Sequence, residues 1–206
     1  MARNLSPRNP VPIPTRQYGR SGDVLLVGGD DPMGQFIRQN SGLGPANHTA
    51  YLDRASDGTL WVIDINPRPG EDMRYTPFEV WTSQYKFIDV VRQNDPQAGE
   101  AAVRYLKTDR QYGFNPATKT FSNNVTYNLW GAAFGGLPLL GALTRNNPTQ
   151  QFCSELVCDT QRAIGKQLPG IPQDSWRTPN HLYWAVPHWG KNIREVKSST
   201  QLGKDP

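Results

Sequence analysis

The sequence of 206 residues contains only two cysteines, so a set of disulfides cannot organise its fold. Charged residues make up 19% of the chain, and the formal net charge is only +4. Because no run of five basic residues accompanies this weak balance, the sequence lacks an evident nucleic-acid-binding patch. No apolar run reaches the ~18 residues of a membrane span. The nearest, 129–143, is interrupted by glycines and a proline.

The first twenty residues lack the apolar segment of a secretory signal, so we expect a cytoplasmic or virion-associated protein. Four prolines make this segment extended rather than helical. Basic residues are frequent at both ends of the chain, where they either solvate flexible arms or dock onto an acidic partner. They are Arg3, Arg8, Arg16 and Arg20 at the front and Lys191, Arg194, Lys197 and Lys204 at the back.

Composition and patterning together divide the chain into three parts. Residues 1–20 are predicted to be an extended Pro/Arg-rich arm, and 188–206 a basic tail. Between them, 21–187 are predicted to form one domain, within which the apolar, glycine-rich part of 116–148 reads as an insertion. Hydrophobic residues are only 36% of the chain, which fits a modest core with extended appendages.

The first half of the domain predicts strands. Segments 22–29, 47–53 and 59–66 are short apolar or alternating runs, and the pair Asp57-Gly58 between the last two is a strong hairpin signal. His48 and Asp64 should therefore lie on two paired antiparallel strands. A further strand is predicted at 86–92.

Apolar residues spaced about 3.6 positions apart predict the helices. We predict helices at 31–42, 96–109 and 149–165, with a loop at 110–124. The last helix has Thr149 as its expected N-cap and Gly165 as its stop. Strands and helices are mixed along the chain and do not follow a regular βαβα order. The predicted fold class is therefore α+β, an antiparallel sheet or small barrel packed against helices.

Cys153 lies in the first turn of the predicted helix 149–165. Unpaired N–H groups and the positive dipole end favour a thiolate there, and the thiolate is the nucleophilic form of cysteine. Such a nucleophile needs a base, usually an imidazole, and the chain has only His48, His181 and His188. An imidazole needs a third polar group to fix its tautomer, for which Asp64 is well placed.

A purely structural interpretation of the same residues stays open at this point. A cysteine on a helix is more often a packing residue, and Asp64 could be an outward residue of the sheet. Cys158 lies at mid-helix, where the helix dipole does not favour a thiolate. It would be about 140° around the helix axis from Cys153, so the two thiols should not pair.

Three motifs, in their order along the chain, resemble a known family. "GDVLL" at 22–26, "HTAYL" at 48–52 and "CSELV" at 153–157 resemble the circularly permuted papain-like thiol hydrolases of the NlpC-type superfamily, in which the histidine precedes the cysteine. The resemblance covers roughly 20–185. It implies a permuted papain-like fold with Cys153 as nucleophile, His48 as base and Asp64 as orienting group. The family often has a glutamate or another polar residue where Asp64 stands.

The function that this resemblance implies is hydrolysis of an amide, in a cell-wall peptide or another peptide, through a Cys–His acyl-enzyme. The protein could be carried in a phage particle or tail, assembled through its N-terminal arm. The alternatives are a structural or docking protein that keeps the fold, and a lipid acyl hydrolase or acyltransferase. No cofactor or metal is expected, because the chain has no CxxC or HExxH spacing.

Overall fold

The computed structural model describes residues 19–29, 44–66, 73–85, 87–122, 125–127, 150–151, 153–171 and 178–193, and the single residues Gln17 and Gln35. Eight strands lie in these residues. They are β1 Val24–Gly28, β2 His48–Arg54, β3 Leu60–Ile65, β4 Met73–Pro77, β5 Phe87–Gln93, β6 Thr126–Tyr127, β7 Gln150–Gln151 and β8 Gly190–Asn192.

Six of these strands form one sheet in the order β4-β3-β2-β1-β5-β8. Every pair of neighbours is antiparallel. The short strands β6 and β7 pair with each other in parallel, outside this sheet. Strand β1 lies inside the sheet and is buried along its whole length, which explains its uninterrupted apolar sequence.

Four helices accompany the sheet: α1 Phe78–Thr82, α2 Pro96–Thr108, α3 Cys153–Ala163 and α4 Pro179–Trp189. Two of them begin at identifiable caps. Asp95 accepts a hydrogen bond from the Ala98 N–H at the start of α2, and Thr178 caps α4 together with His181.

Hydrophobic clusters cover both faces of the sheet. On one face, Val24, Leu26 and Tyr51 pack with residues of α2, α3 and α4. On the other face, Leu25, Val27, Leu52 and Val62 pack with Phe78 and Trp81 of α1. The predicted α+β class, an antiparallel sheet packed against helices, is confirmed.

Most of the elements predicted in the described residues are confirmed, including the four strands and the helix at 96–109. The predicted N-cap at Thr149 is wrong, because β7 intervenes and α3 begins only at Cys153. The fold also continues beyond residue 187: Trp189 is buried and β8 extends the sheet, within the segment predicted as a tail. Strand β4 and helices α1 and α4 were not predicted.

Several predictions fall outside the described residues. The helix at 31–42 does so except for Gln35, and so do the apolar segment 129–143 and most of the insertion 116–148. The arm 1–20 is described only at Gln17, Gly19 and Arg20. Among the helices that the structure does describe, none has the length and apolar character needed to cross a membrane.

Two glycines with similar backbone angles allow a direct test of the packing between β1 and α2. Gly22 (φ +88°) and Gly58 (φ +83°) both adopt conformations that L-residues disfavour. A Cβ on Gly58 would meet open space, whereas a Cβ on Gly22 would overlap the backbone of Gly99 in α2.

We expect Gly58→Ala to lower the free energy of unfolding by about 1–2 kcal/mol, the cost of the backbone conformation alone. Gly22→Ala should cost at least about 2 kcal/mol more, because α2 must move away from the sheet. Urea denaturation of both variants measures the difference. Equal losses would show that the close approach of Gly22 and Gly99 does not constrain the fold.

Candidate active site

His48 and Asp64 are brought together by the β2–β3 hairpin. The register pairs Tyr51 with Ile63 and Leu52 with Val62. Since side chains alternate along a strand, His48 and Asp64 both lie on the face of the sheet that carries Leu52 and Val62. His48 Nε2 is 3.0 Å from Asp64 Oδ2. The predicted pairing of these two residues is therefore observed.

Asp64 is completely buried and collects further donors. Arg74, directly opposite on β4, donates from Nη2 to Oδ2 at 2.8 Å and from Nε to Oδ1 at 3.3 Å. Trp81 of α1 donates from its indole N–H to Oδ2 at 2.9 Å. With His48, three side chains from three different elements satisfy this one carboxylate.

The ionisation of Asp64 decides the tautomer of His48. Burial would raise the pKa of Asp64, but the hydrogen bond and charge of His48 and the guanidinium of Arg74 lower it to about 2. An ionised carboxylate can only accept hydrogen bonds, so we assign the proton to His48 Nε2. Nδ1 is then the nitrogen that can accept a proton from another group.

Cys153 is the partner on the other side of His48. Burial would lower the pKa of His48, but the charge and hydrogen bond of Cys153, together with Asp64, raise it to about 9. Helix α3 is held on β2 by the Tyr51 hydroxyl, which donates to the Val157 carbonyl at 3.0 Å and accepts from Gln161 Nε2 at 3.2 Å. The first residue of α3 is thereby held at the His48 end of β2.

The two residues approach from opposite faces of the sheet. Cys153 belongs to the cluster on the side of α2, α3 and α4. His48 is paired with Val27, which belongs to the cluster on the other side. They can meet because His48 is the first residue of β2, where the sheet ends. Cys153, His48 and Asp64 are all at most 7% exposed.

Aromatic rings surround His48 on the side of α1. Tyr85 stacks on the imidazole with ring centroids 5.9 Å apart and an interplanar angle of 11°. Trp81 lies at the same centroid distance, tilted by 39°, and packs against Tyr85 at 4.6 Å. These rings restrict the orientation of the imidazole and limit its contact with water.

The other two histidines are engaged elsewhere. His181 Nδ1 accepts from the Thr178 N–H at 3.2 Å as part of the α4 cap. His188 is exposed, with its ring beside Gly170. Cys158 and Cys153 are both buried, and neither forms a disulfide. Of the three candidate bases, the structure therefore brings only His48 to Cys153.

Three residues around His48 and Asp64 were not predicted from the sequence: Arg74, Trp81 and Tyr85. Their segment, 73–85, contains a five-residue strand and a five-residue helix, both too short to show a clear periodicity. One signal was available: a strand that follows β3 closely should pair with it and place a cation opposite Asp64.

A metal centre has no support in the part of the chain that the structure describes. There, no three or more His, Cys, Asp or Glu side chains are arranged to hold a metal ion.

Comparisons with known proteins add little to this geometry. No protein-family model matches the chain, and no curated protein sequence matches it. One similar solved structure is that of the metalloprotein YiiX, DUF1105, from Escherichia coli O157:H7. It is 14% identical, with a TM-score of 0.46, and the alignment covers 73% of this chain and 69% of that one. At this similarity the match assigns neither a family nor an activity.

The first test concerns the charge on Asp64. We expect Asp64→Asn to lower the pKa of His48 well below 9, because a neutral amide no longer stabilises the imidazolium. Asp53→Asn is the matched control, since Asp53 is a buried carboxylate at the far end of β2 that accepts from Ser21, Tyr75 and Lys107. NMR titration of the imidazole protons measures the pKa of His48 in both variants. An unchanged His48 pKa in Asp64→Asn would contradict the assignment of Asp64 as an ionised partner of His48.

The second test concerns stability against pH. The pKa of His48 is about 9 in the folded protein and near 6.5 when unfolded, so its stabilising contribution is complete below pH 6.5 and is lost as the pH rises through 9. We expect the free energy of unfolding, measured by urea denaturation under reducing conditions, to fall across this interval. His48→Gln should flatten that decline, whereas the exposed His188→Gln should retain it. A decline of the same size in both variants would assign the effect to other groups.

Proposed function

We propose that this protein is a cysteine hydrolase of the permuted papain-like, NlpC-type kind, which cleaves an amide bond in a cell-wall peptide or another peptide. Cys153 is the nucleophile, His48 the general base and acid, and Asp64 the orienting carboxylate. The observation that carries the proposal is the buried series of contacts from Cys153 to His48 to Asp64 at the start of a helix.

The arrangement of the elements supports the same conclusion. The histidine comes from β2, the carboxylate from the adjacent β3, and the cysteine from a later helix that packs on β2. This is the chain order that the resemblance at 22–26, 48–52 and 153–157 implies.

In the attacking state, His48 Nδ1 holds the proton of the Cys153 thiol, and the His48 pKa of about 9 favours this imidazolium at neutral pH. The thiolate then attacks the amide carbonyl carbon, forming a C–S bond and a negatively charged oxygen. Backbone N–H groups at the start of α3 stabilise that oxygen, because they lack partners within the helix. The imidazolium then protonates the leaving nitrogen as the C–N bond breaks, which leaves a thioester on Cys153.

Deacylation uses the same residues. His48 takes a proton from water, the resulting hydroxide attacks the thioester, and the C–S bond breaks. The acid product leaves, and the thiol regains its proton from His48. Asp64 stays ionised throughout, because Arg74 and Trp81 hold it with fixed donors. It stabilises the imidazolium that forms in both halves of the reaction.

Thiol labelling tests the assignment of the nucleophile. We expect iodoacetamide at pH 7 to modify Cys153 faster than Cys158, although Cys153 is the less exposed of the two, at 1% against 7%. Access alone would give the opposite order, so faster labelling of Cys153 reports activation by His48. Proteolysis after Glu155 separates the two cysteines for mass spectrometry.

The control for labelling is His48→Ala, which should slow the modification of Cys153 and leave that of Cys158 unchanged. If Cys153 labels no faster than Cys158 and His48→Ala changes neither rate, the hydrolase proposal fails and a docking role becomes the better interpretation.

A trapping experiment tests the covalent step. We expect p-nitrophenyl acetate to acetylate Cys153 transiently, with release of nitrophenolate in a burst. Cys158→Ala should retain the burst, whereas Cys153→Ala should abolish it. His48→Ala, which removes the general base, should slow the burst by roughly 10²–10⁴-fold, the typical contribution of general acid–base catalysis. A burst that survives in Cys153→Ala would exclude this residue as the acyl carrier.

A further inference from the structure

A cleft of about 520 Å³ lies between α2 and the C-terminal end of β2, away from the candidate active site. Arg54, the last residue of β2, is six residues from His48, which corresponds to roughly 20 Å along a strand. We call this feature the basic cleft. Its charged lining residues are Arg20, Arg54, Arg104, Lys107, Asp53 and Glu100.

The lining carries four cations and two carboxylates, a formal charge of +2. Asp53 is the buried member of this set and is already satisfied: Ser21, Tyr75 and Lys107 donate to it at 2.7, 2.6 and 2.8 Å. The positive excess therefore lies toward the opening of the cleft, where Arg104 of α2 is exposed and forms no ion pair with a described residue.

The walls of the cleft are held in place by polar contacts. Arg54 donates from Nε to the Gly19 carbonyl at 2.7 Å and from Nη1 to the Gly58 carbonyl at 2.8 Å. The Ser21 hydroxyl accepts from the Arg54 N–H at 2.9 Å. These contacts tie the segment that enters β1 to the β2–β3 hairpin, so the cationic wall is ordered before any ligand binds.

From these features we propose that the basic cleft binds an acidic segment of a partner protein. Guanidinium groups pair with carboxylates through two parallel hydrogen bonds, and Arg20 and Arg104 are both exposed residues of the lining. Residues 1–19, which precede Arg20 in the sequence, add three arginines and no acidic residue, so the adjoining sequence is also positively charged.

A peptide fits this lining better than a nucleic acid does. Glu100, which is exposed, would repel the continuous negative charge of a phosphodiester backbone. An acidic peptide instead presents N–H groups that Glu100 can accept from, between carboxylates that the arginines can bind. The cleft is independent of the hydrolase proposal and would serve equally to bring the protein to an assembly.

The experiment measures fluorescence anisotropy of a labelled oligoglutamate with the full chain, beside oligoglutamine and oligothymidylate of similar length. We expect saturable binding of oligoglutamate that weakens with salt. Arg104→Glu should raise the Kd about tenfold or more. Glu100→Gln should lower the Kd, since glutamine keeps an acceptor oxygen for the peptide N–H groups and removes the repulsive charge. The matched control is Arg162→Glu, which makes the same charge change at an exposed arginine on α3, outside the cleft.

The proposal is overturned if oligoglutamate does not bind, if Arg104→Glu and Arg162→Glu weaken binding equally, or if oligothymidylate binds more tightly than oligoglutamate. The second outcome would mean that only the net charge of the molecule matters, and the third would make the cleft a nucleic-acid site. Labelling of Cys153 should be unchanged in Arg104→Glu, which keeps this result separate from the test of the hydrolase.

Discussion

The fully buried negative charge of Asp64 is the constraint on which the candidate site depends. Removing a carboxylate from water costs several kcal/mol unless charged and hydrogen-bonded partners replace the solvent. Here Arg74, His48 and Trp81 do so, and each belongs to a different element. The carboxylate therefore fixes the relative positions of β2, β4 and α1, and the same contacts that satisfy it also orient the imidazole.

The location of the site follows from the burial of both sheet faces. Hydrophobic clusters occupy the two faces, so polar chemistry has room only where the sheet ends. His48 begins β2 and Cys153 begins α3, and both start at the same end of the sheet. A residue in the middle of β2 that shares the sheet face of His48 would be separated from α3 by the sheet itself.

The sequence predicted the strands around His48 and Asp64 because two alternating runs flank an Asp-Gly turn, which is a local signal. It predicted α2 for the same reason, from a regular apolar stripe. It did not predict Arg74 or Trp81 as partners of Asp64, because short elements carry little periodicity and their role arises from pairing across the sheet. Thr149 was misassigned as a cap for a related reason: the pairing of β7 with β6 overrides a local preference for helix.

The hairpin that pairs His48 with Asp64 closes over sixteen residues, whereas α3 must come from far along the chain, as the contact between Tyr51 and Val157 across 106 positions shows. Short loops close faster than long ones, so the imidazole and its carboxylate can be assembled early in folding. The thiol joins them only when α3 docks. Under the proposed mechanism, a partly synthesised chain would carry a base without a nucleophile, and reactivity would arise only with the completed fold.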